Sequence, residues 1–192
     1  YGSTQIRNVA TIAGNIATAS PIGDTLPLLL ALNSKIVLQG IKKIKVLPIN
    51  EFFISYRKTK LKPGQFIHSI RIPIFEKNVF KAYKISKRFD DDISSVCAAF
   101  NLEIKNKKIK NVKIAYGGMA SIPKRAIYCE KILLNSLITK ELIDKAKKAL
   151  EKDFKPISDM RASKKYREII AKNLLEKCFL EINEKKSIGI NN

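Results

Sequence analysis

Asn8-Val9-Ala10-Thr11-Ile12-Ala13-Gly14-Asn15-Ile16-Ala17-Thr18-Ala19-Ser20-Pro21-Ile22-Gly23-Asp24 is the stretch on which the reading of this chain turns. Nearly every position in it that is not apolar is small, hydroxylated or an amide. Backbone N–H groups in such a segment can approach an anion closely, and Thr11, Asn15, Thr18 and Ser20 can donate to phosphate or sugar oxygens. A tight structural turn packed under a helix accounts for the same composition. Pro21 to Asp24 then supplies turn chemistry and a carboxylate N-cap for an apolar run from Thr25 to Leu32. The expectation is a loop over Gln5 to Ser20 feeding a short buried helix.

Beyond it, Lys35 to Leu38 and Ile44 to Leu47 have strand character and read as a hairpin around Gln39-Gly40. Ile49 to Ile54 reads as a short helical turn. Lys62-Pro63-Gly64 is a turn, and the strand Phe66 to Ile72 ends at Pro73 because proline cannot continue a ladder. The pattern changes near residue 76. Val79 to Lys87, Ile93 to Ile104 and Ile109 to Tyr116 form three strand-like runs, and Asn106-Lys107 makes a tight turn in an antiparallel meander. Helical periodicity follows over Lys124 to Leu134, Thr139 to Lys152 and Arg161 to Ile182. The last helix carries Tyr166, Ile169, Ile170, Leu174, Cys178 and Ile182 on one stripe. Strands followed by segregated helices imply an α+β fold. Residues 1–75 and 76–185 are read as two domains, with a frayed tail over 186–192.

The chain has 192 residues, 45% of them hydrophobic, which is enough for one good core or two small ones. No run reaches the roughly 18 apolar residues of a membrane span. Tyr1 is not an initiator Met and no charged-then-apolar leader follows it, so the start reads as lying inside a longer polypeptide. A net charge of +20 raises nucleic acid as a partner. Lys outnumbers Arg roughly four to one, however, and the lysines are spread along the second half without interleaved aromatics, which is the pattern of a solvated surface. Cys97, Cys129 and Cys178 form no C-x-x-C pair, so they read as buried thiols of a reducing compartment and not as a zinc or iron–sulfur site. His68, the only histidine, occupies an outward position of an alternating strand. No triad, metal cluster or paired carboxylates equip the chain for acid–base or nucleophilic catalysis.

Read together, Gln5-Ile6-Arg7-Asn8, Thr11-Ile12-Ala13-Gly14-Asn15 and Ala19-Ser20-Pro21-Ile22-Gly23-Asp24 resemble the second flavin-binding motif of the molybdenum-hydroxylase FAD domain, whose fold is the vanillyl-alcohol-oxidase (PCMH) type. Further matches occur in the family's order: Phe52 to Thr59, Tyr83-Lys84, Arg88 to Ile93, Tyr116-Gly117-Gly118-Met119-Ala120, and Asp159 to Ser163 with Tyr166-Arg167. The resemblance covers residues 1 to 182, and its S-P-I-G-D, Y-R-K-T and Y-G-G-M-A wording is most similar to the xanthine dehydrogenase branch.

The resemblance implies that residues 1–75 form the second lobe of the FAD domain, and that 76–185 form a CO-dehydrogenase-flavoprotein-like C-terminal domain of three antiparallel strands and three helices. It implies that Thr11, Ile12, Ala13, Gly14 and Asn15 wrap the FAD pyrophosphate and that Asp24 accepts hydrogen bonds from cofactor hydroxyls. Tyr1 would pack beside the flavin, Ile67 would be an apolar wall and Lys84 a cation. Arg88 to Asp92 would be a charged loop near the isoalloxazine ring. The family's double glycine is Ala13-Gly14 here, which requires a negative φ at Ala13, and Phe89 stands where a charged residue is common. No first-lobe phosphate loop and no [2Fe–2S] cysteines are present, so the chain is expected to hold half of an FAD cleft.

The implied parent is a cytoplasmic, NAD-dependent oxidoreductase. It would hydroxylate a purine at a molybdopterin-binding large subunit and pass electrons through an iron–sulfur domain and FAD to NAD. The alternatives are a flavin subunit for an aldehyde, carbon monoxide or an aromatic CoA ester, a scaffold that only docks a partner, and a basic nucleic-acid-binding module.

Overall fold

The computed structural model describes residues 2–88 and 92–184. The opening stretch is not a loop. It forms two short helices, α1 (Thr4–Val9) and α2 (Ile12–Thr18), because each is started by a hydroxyl cap. Ser3 Oγ accepts from the Ile6 N–H at 3.3 Å, and Thr11 Oγ1 accepts from the Gly14 N–H at 3.0 Å. Ala19, in the left-handed region at φ 49°, ends α2. Ala13 and Gly14 both lie inside α2, so the alanine needs no left-handed conformation.

Helix α3 (Thr25–Ala31) is buried through Leu26, Pro27, Leu29, Leu30 and Ala31. It is followed by β1 (Lys35–Gln39), β2 (Ile44–Pro48), a 3-10 turn over Ile49–Glu51, β3 (Phe53–Ser55), β4 (Lys58–Thr59) and β5 (Phe66–Arg71). The expected hairpin is present, and β5 joins its other side in a sheet of order β2-β1-β5. The expected helical turn stops at Glu51, because Phe53 to Ser55 pairs with β4 instead. His68 is exposed on β5.

The second half is built on β6 (Asn78–Ser86), β7 (Ser94–Lys105) and β8 (Lys108–Gly117), an antiparallel meander closed by Asn106 and Lys107. Both turn residues have positive φ, 53° and 59°, as a two-residue hairpin requires. A fourth strand, β9 (Lys124–Arg125), pairs with β8 at Ala115 and Tyr116. Its pairing takes the first residues of the expected helix, so α4 covers only Ile127–Leu133. Helices α5 (Lys140–Asp153) and α6 (Lys164–Glu184) complete the α+β fold.

Strand periodicity explains how the sheet holds both halves together. Val96, Ala98, Phe100 and Leu102 point to one face of β7, and with Ile114 and Tyr116 of β8 they form a core with α4, α5 and α6. On the other face Ala99 and Ala115 join the core of α3 and the small sheet. Alanine at those two sites lets the α3 backbone lie close to the sheet, and Asn101 Nδ2 donates to the Ala31 carbonyl at the helix end at 3.1 Å. The four-stranded sheet is therefore covered on both faces.

Rings of Tyr83, Phe100, Tyr116 and Phe154 run through the helical core with centroid spacings of 5.8, 5.9 and 5.2 Å. The Tyr116 hydroxyl donates to the Ala171 carbonyl at 2.9 Å, and burial raises its pKa so that the proton stays on. Tyr116→Phe is expected to cost about 1 kcal/mol, read as a lower urea midpoint at unchanged slope.

On α6 the expected stripe holds at Ile170, Leu174, Cys178 and Ile182 but not at its start. Tyr166 and Ile169 are 43% and 46% exposed, whereas Arg167, Ala171, Leu174, Leu175, Cys178 and Phe179 are buried. The helix is turned so that Arg167 faces inward, where it finds carbonyl and carboxylate partners. Cys97, Cys129 and Cys178 are buried free thiols, and burial pushes Cys178 up to about 12. Among the described residues no helix is long and apolar enough to cross a membrane. The tail over 186–192 lies outside the described residues.

Candidate functional site

The turn from Thr11 to Asn15 is the first turn of α2, and Thr11, Ile12 and Gly14 are exposed along it. A Cβ built on Gly14 would lie 2.9 Å from Thr11 Oγ1, so glycine here keeps the cap intact and the surface low. Asn15 does the work expected of Asp24. Its Oδ1 accepts from the Thr25 hydroxyl at 2.6 Å and from the Thr25 N–H at 3.4 Å, which caps α3. Asp24 occupies the N-cap position of α3 but makes no side-chain cap bond.

The Asp24 carboxylate turns instead toward the larger sheet. Lys84 Nζ on β6 donates to Asp24 Oδ2 at 2.7 Å, and the Ser94 hydroxyl at the start of β7 donates to Asp24 Oδ1. Cys97 Sγ lies 3.6 Å from the Asp24 carbonyl oxygen. Both charged side chains are only partly covered, 16% exposed for Lys84 and 26% for Asp24, so their pair can also meet a ligand's polar atoms. Ile67 sits on β5, the strand that α2 packs against, and belongs to the rim of the smaller core.

Thr11, Ile12, Ala13, Gly14, Asn15, Asp24, Ile67 and Lys84 thus lie on α2, the start of α3, β5 and β6; α2 packs against α3 and β5, and Lys84 of β6 reaches Asp24. Tyr1 and the centre of the charged loop, Phe89 to Asp91, lie outside the described residues. At the loop's ends the Arg88 N–H donates to Asp92 Oδ2 at 2.9 Å, and this bond with its neighbours holds Asp92 below the usual carboxylate range. Ser94 and Cys97 had no sequence signal beyond strand alternation. The small residues of the turn, the acid–cation pair and the apolar wall suit a dinucleotide-type cofactor of the FAD class: low surface for a pyrophosphate, an acceptor for hydroxyls and a cation within reach.

Beside this site opens a cavity of about 950 Å³. One wall is Ser20, Pro21 and Ile22, the segment that joins α2 to Asp24. Tyr56 and Arg57 contribute from the β3–β4 turn, where Arg57 takes a positive φ of 51°. Lys124, Lys152, Lys155 and Arg161 line it from the helical half.

Its floor is organised by Arg167, 2% exposed. Nη2 meets Asp159 Oδ1 at 2.7 Å, and Nη1 donates to the Gly118 carbonyl at 3.0 Å and to the Ser95 carbonyl. The Gly118 N–H in turn donates to the Pro21 carbonyl at 2.8 Å, which fixes the first wall to the end of β8. Burial raises the Asp159 carboxyl, but hydrogen bonds from the Arg161 and Ala162 N–H groups and from Arg167 outweigh it and hold the pKa below the usual value. The Ser-Pro-Ile, Tyr-Arg, Tyr-Gly-Gly-Met-Ala and Asp-Met-Arg strings of the sequence all contribute to this cavity, while Lys124, Lys152 and Lys155 carried no sequence signal.

Residues 81–182 match the family model of the CO dehydrogenase flavoprotein C-terminal domain, and residues 1–75 match that of the FAD binding domain in molybdopterin dehydrogenase. The chain belongs to the molybdenum-hydroxylase flavoproteins. Xanthine dehydrogenase of Emericella nidulans is 40% identical over 158 residues, covering 80% of this chain and 12% of that protein. The glyceraldehyde dehydrogenase medium chain of Sulfolobus acidocaldarius is 31% identical over 184 residues, covering 94% of this chain and 64% of that one. A carbon monoxide dehydrogenase structure from Hydrogenophaga pseudoflava superposes with a TM-score of 0.87 at 26% identity, covering 91% of this chain and 61% of its own. The chain therefore spans less than two thirds of each of these molybdenum-hydroxylase relatives.

Proposed function

We propose that this flavoprotein chain forms the second lobe of an FAD site (residues 1–75) and the C-terminal domain behind it (residues 76–185, with a tail over 186–192) in a xanthine dehydrogenase. The observation that carries the reading is the Asp24–Lys84 pair at 2.7 Å, which sets an acceptor and a cation beside the exposed turn of small residues. Thr11 to Asn15 face the cofactor pyrophosphate, Asp24 accepts from its hydroxyls, Lys84 supplies positive charge, Ile67 is an apolar wall and Tyr1 lies beside the ring. FAD, when bound, supplies the two-electron chemistry, and the protein supplies orientation and electrostatics.

The proposed electron donor is an iron–sulfur domain, fed by a molybdopterin-binding large subunit, and the proposed acceptor is NAD in the cytoplasm. The cavity supports the acceptor: it adjoins the Ser20 to Asp24 segment and offers basic side chains for phosphates and Tyr56 for a base. Its similarity to a glyceraldehyde dehydrogenase chain and a carbon monoxide dehydrogenase keeps another substrate of the molybdenum subunit as the second reading.

FAD titration of the full-length protein tests the site. Asp24→Ala and Asn15→Ala are each expected to weaken FAD about tenfold, in line with the loss of one charge-assisted or well-placed hydrogen bond. Because Asn15 also caps α3, a urea titration of the FAD-free variants accompanies it. Unchanged affinity in both variants, with the fold intact, is the result that would sink the assignment.

A further inference from the structure

The charge in the cavity exceeds what a pyrophosphate needs. Six basic side chains line it against two carboxylates, Asp153 and Asp159, leaving an excess of four positive charges. Neither acid neutralises the free cations. Asp153 Oδ1 and Oδ2 accept from the Tyr128 and Cys129 N–H groups at the start of α4, both at 2.9 Å, and Asp159 is engaged by Arg167 and two backbone N–H groups. Arg57, Lys152, Lys155 and Arg161 have no ion-pair partner among the described residues.

Three of the cations share one wall. Lys124 Nζ donates to the Asp153 carbonyl at 2.7 Å and lies 5.9 Å from the centre of the Phe154 ring. Lys152 and Lys155 flank that dipeptide in the chain, Lys152 in the last turn of α5 and Lys155 just beyond it. All three lysines line the same cavity, and lysines brought to one wall can recognise a terminal phosphate as point charges. A pyrophosphate diester carries two negative charges, and a phosphomonoester adds about two more near neutral pH. Together they match the excess.

We propose that the acceptor of this chain is a nicotinamide dinucleotide carrying a 2′-phosphate, which Lys124, Lys152 and Lys155 select over the unphosphorylated form. The inference rests on the reading of the cavity as a nicotinamide-dinucleotide site, and it replaces NAD there by its 2′-phosphorylated form. Selection works through charge placement, so it strengthens as ionic strength falls.

The test uses the complete enzyme with its partner subunits. The KM for NADP is expected about tenfold below that for NAD, the size of effect a cluster of charge-assisted bonds produces. As a readout independent of turnover, adenosine 2′,5′-bisphosphate is titrated against adenosine 5′-monophosphate by calorimetry, with about tenfold tighter binding of the bisphosphate expected. The double variant Lys152→Ala with Lys155→Ala brings both ratios close to one. Equal KM values for the two dinucleotides with no preference for the bisphosphate would overturn the third-phosphate assignment and leave the acceptor reading standing. Loss of both dinucleotides alike in the double variant also overturns it. Failure of either dinucleotide to bind or to accept electrons in the unmodified enzyme overturns the acceptor reading, and this assignment with it.

Discussion

Arg167→Ala is expected to lower the stability of the fold by about 3–5 kcal/mol, the range for breaking a buried ion pair from one side. The side chain is 2% exposed and cannot shed its charge; both Nη atoms find acceptors, while the buried Nε has none among the described residues. Truncation leaves the Ser95 and Gly118 carbonyls without their guanidinium donor and the Asp159 carboxylate without its cation, held only by the Arg161 and Ala162 N–H groups. Arg167→Lys keeps the charge but loses the fork that reaches three acceptors, so it recovers less than half of the loss. Urea unfolding followed by circular dichroism reads both.

The pH dependence has a definite sign. Asp159 has a depressed pKa in the folded state, so its contribution is complete above the ordinary aspartate pKa of about 4 and is lost as pH falls through the lower folded value. Asp159→Asn should flatten that part of an acid titration. An unchanged profile would mean that Arg167 is held by the two carbonyls alone.

Gly118→Ala is the second large effect, expected at about 3 kcal/mol. Gly118 has φ 80°, where an alanine costs about 1 kcal/mol on backbone grounds alone. The added methyl would also fall inside contact distance of the Ser95 carbonyl oxygen and 2.8 Å from Arg167 Nη1. Backbone cannot retreat as a flexible side chain can, so the strand end or the arginine must move. Gly64→Ala isolates the conformational part, since φ there is 75° and nothing lies within 4 Å of the new methyl. It should cost about 1 kcal/mol. A double variant of Gly118 and Arg167 should fall well short of additivity, because the two share one hydrogen bond and one space. Additive losses would show that they act separately.

Much of the architecture is legible in local pattern. Alternation over residues 94–117 and the Asn106-Lys107 turn specify the meander, and apolar spacing specifies α5 and α6. The hydroxyl caps at Ser3 and Thr11 were present in the chain but lay among so many small residues that a loop accounted for them equally well. On α6 the apolar spacing holds at Ile170, Leu174, Cys178 and Ile182 and fails at Tyr166 and Ile169, because the buried Arg167 breaks the apolar rule in the first turns. Its partners are Asp159, eight residues away, and the Ser95 and Gly118 carbonyls, 72 and 49 residues away, and no local spacing announces the last two.

The site divides in the same way. A turn of small residues suits a phosphate on chemical grounds, but Asp24 and Lys84 are 60 residues apart and no spacing rule joins them. Family resemblance put both in one site, and the fold puts one on the other. It could not foresee that Asn15, not Asp24, would cap α3. Neither could it foresee that the two alanines at 99 and 115 would seat that helix against the sheet.

The bond between Asp24 and Lys84 also constrains how such chains can be recombined. A chimera joined near residue 76 would inherit the acid from one ancestor and the lysine from the other, together with Ser94. Parents that agree at these three positions can exchange halves across that junction. Parents that differ there would produce offspring with an unmatched charge at the seam, so the two halves are expected to have descended as a linked pair.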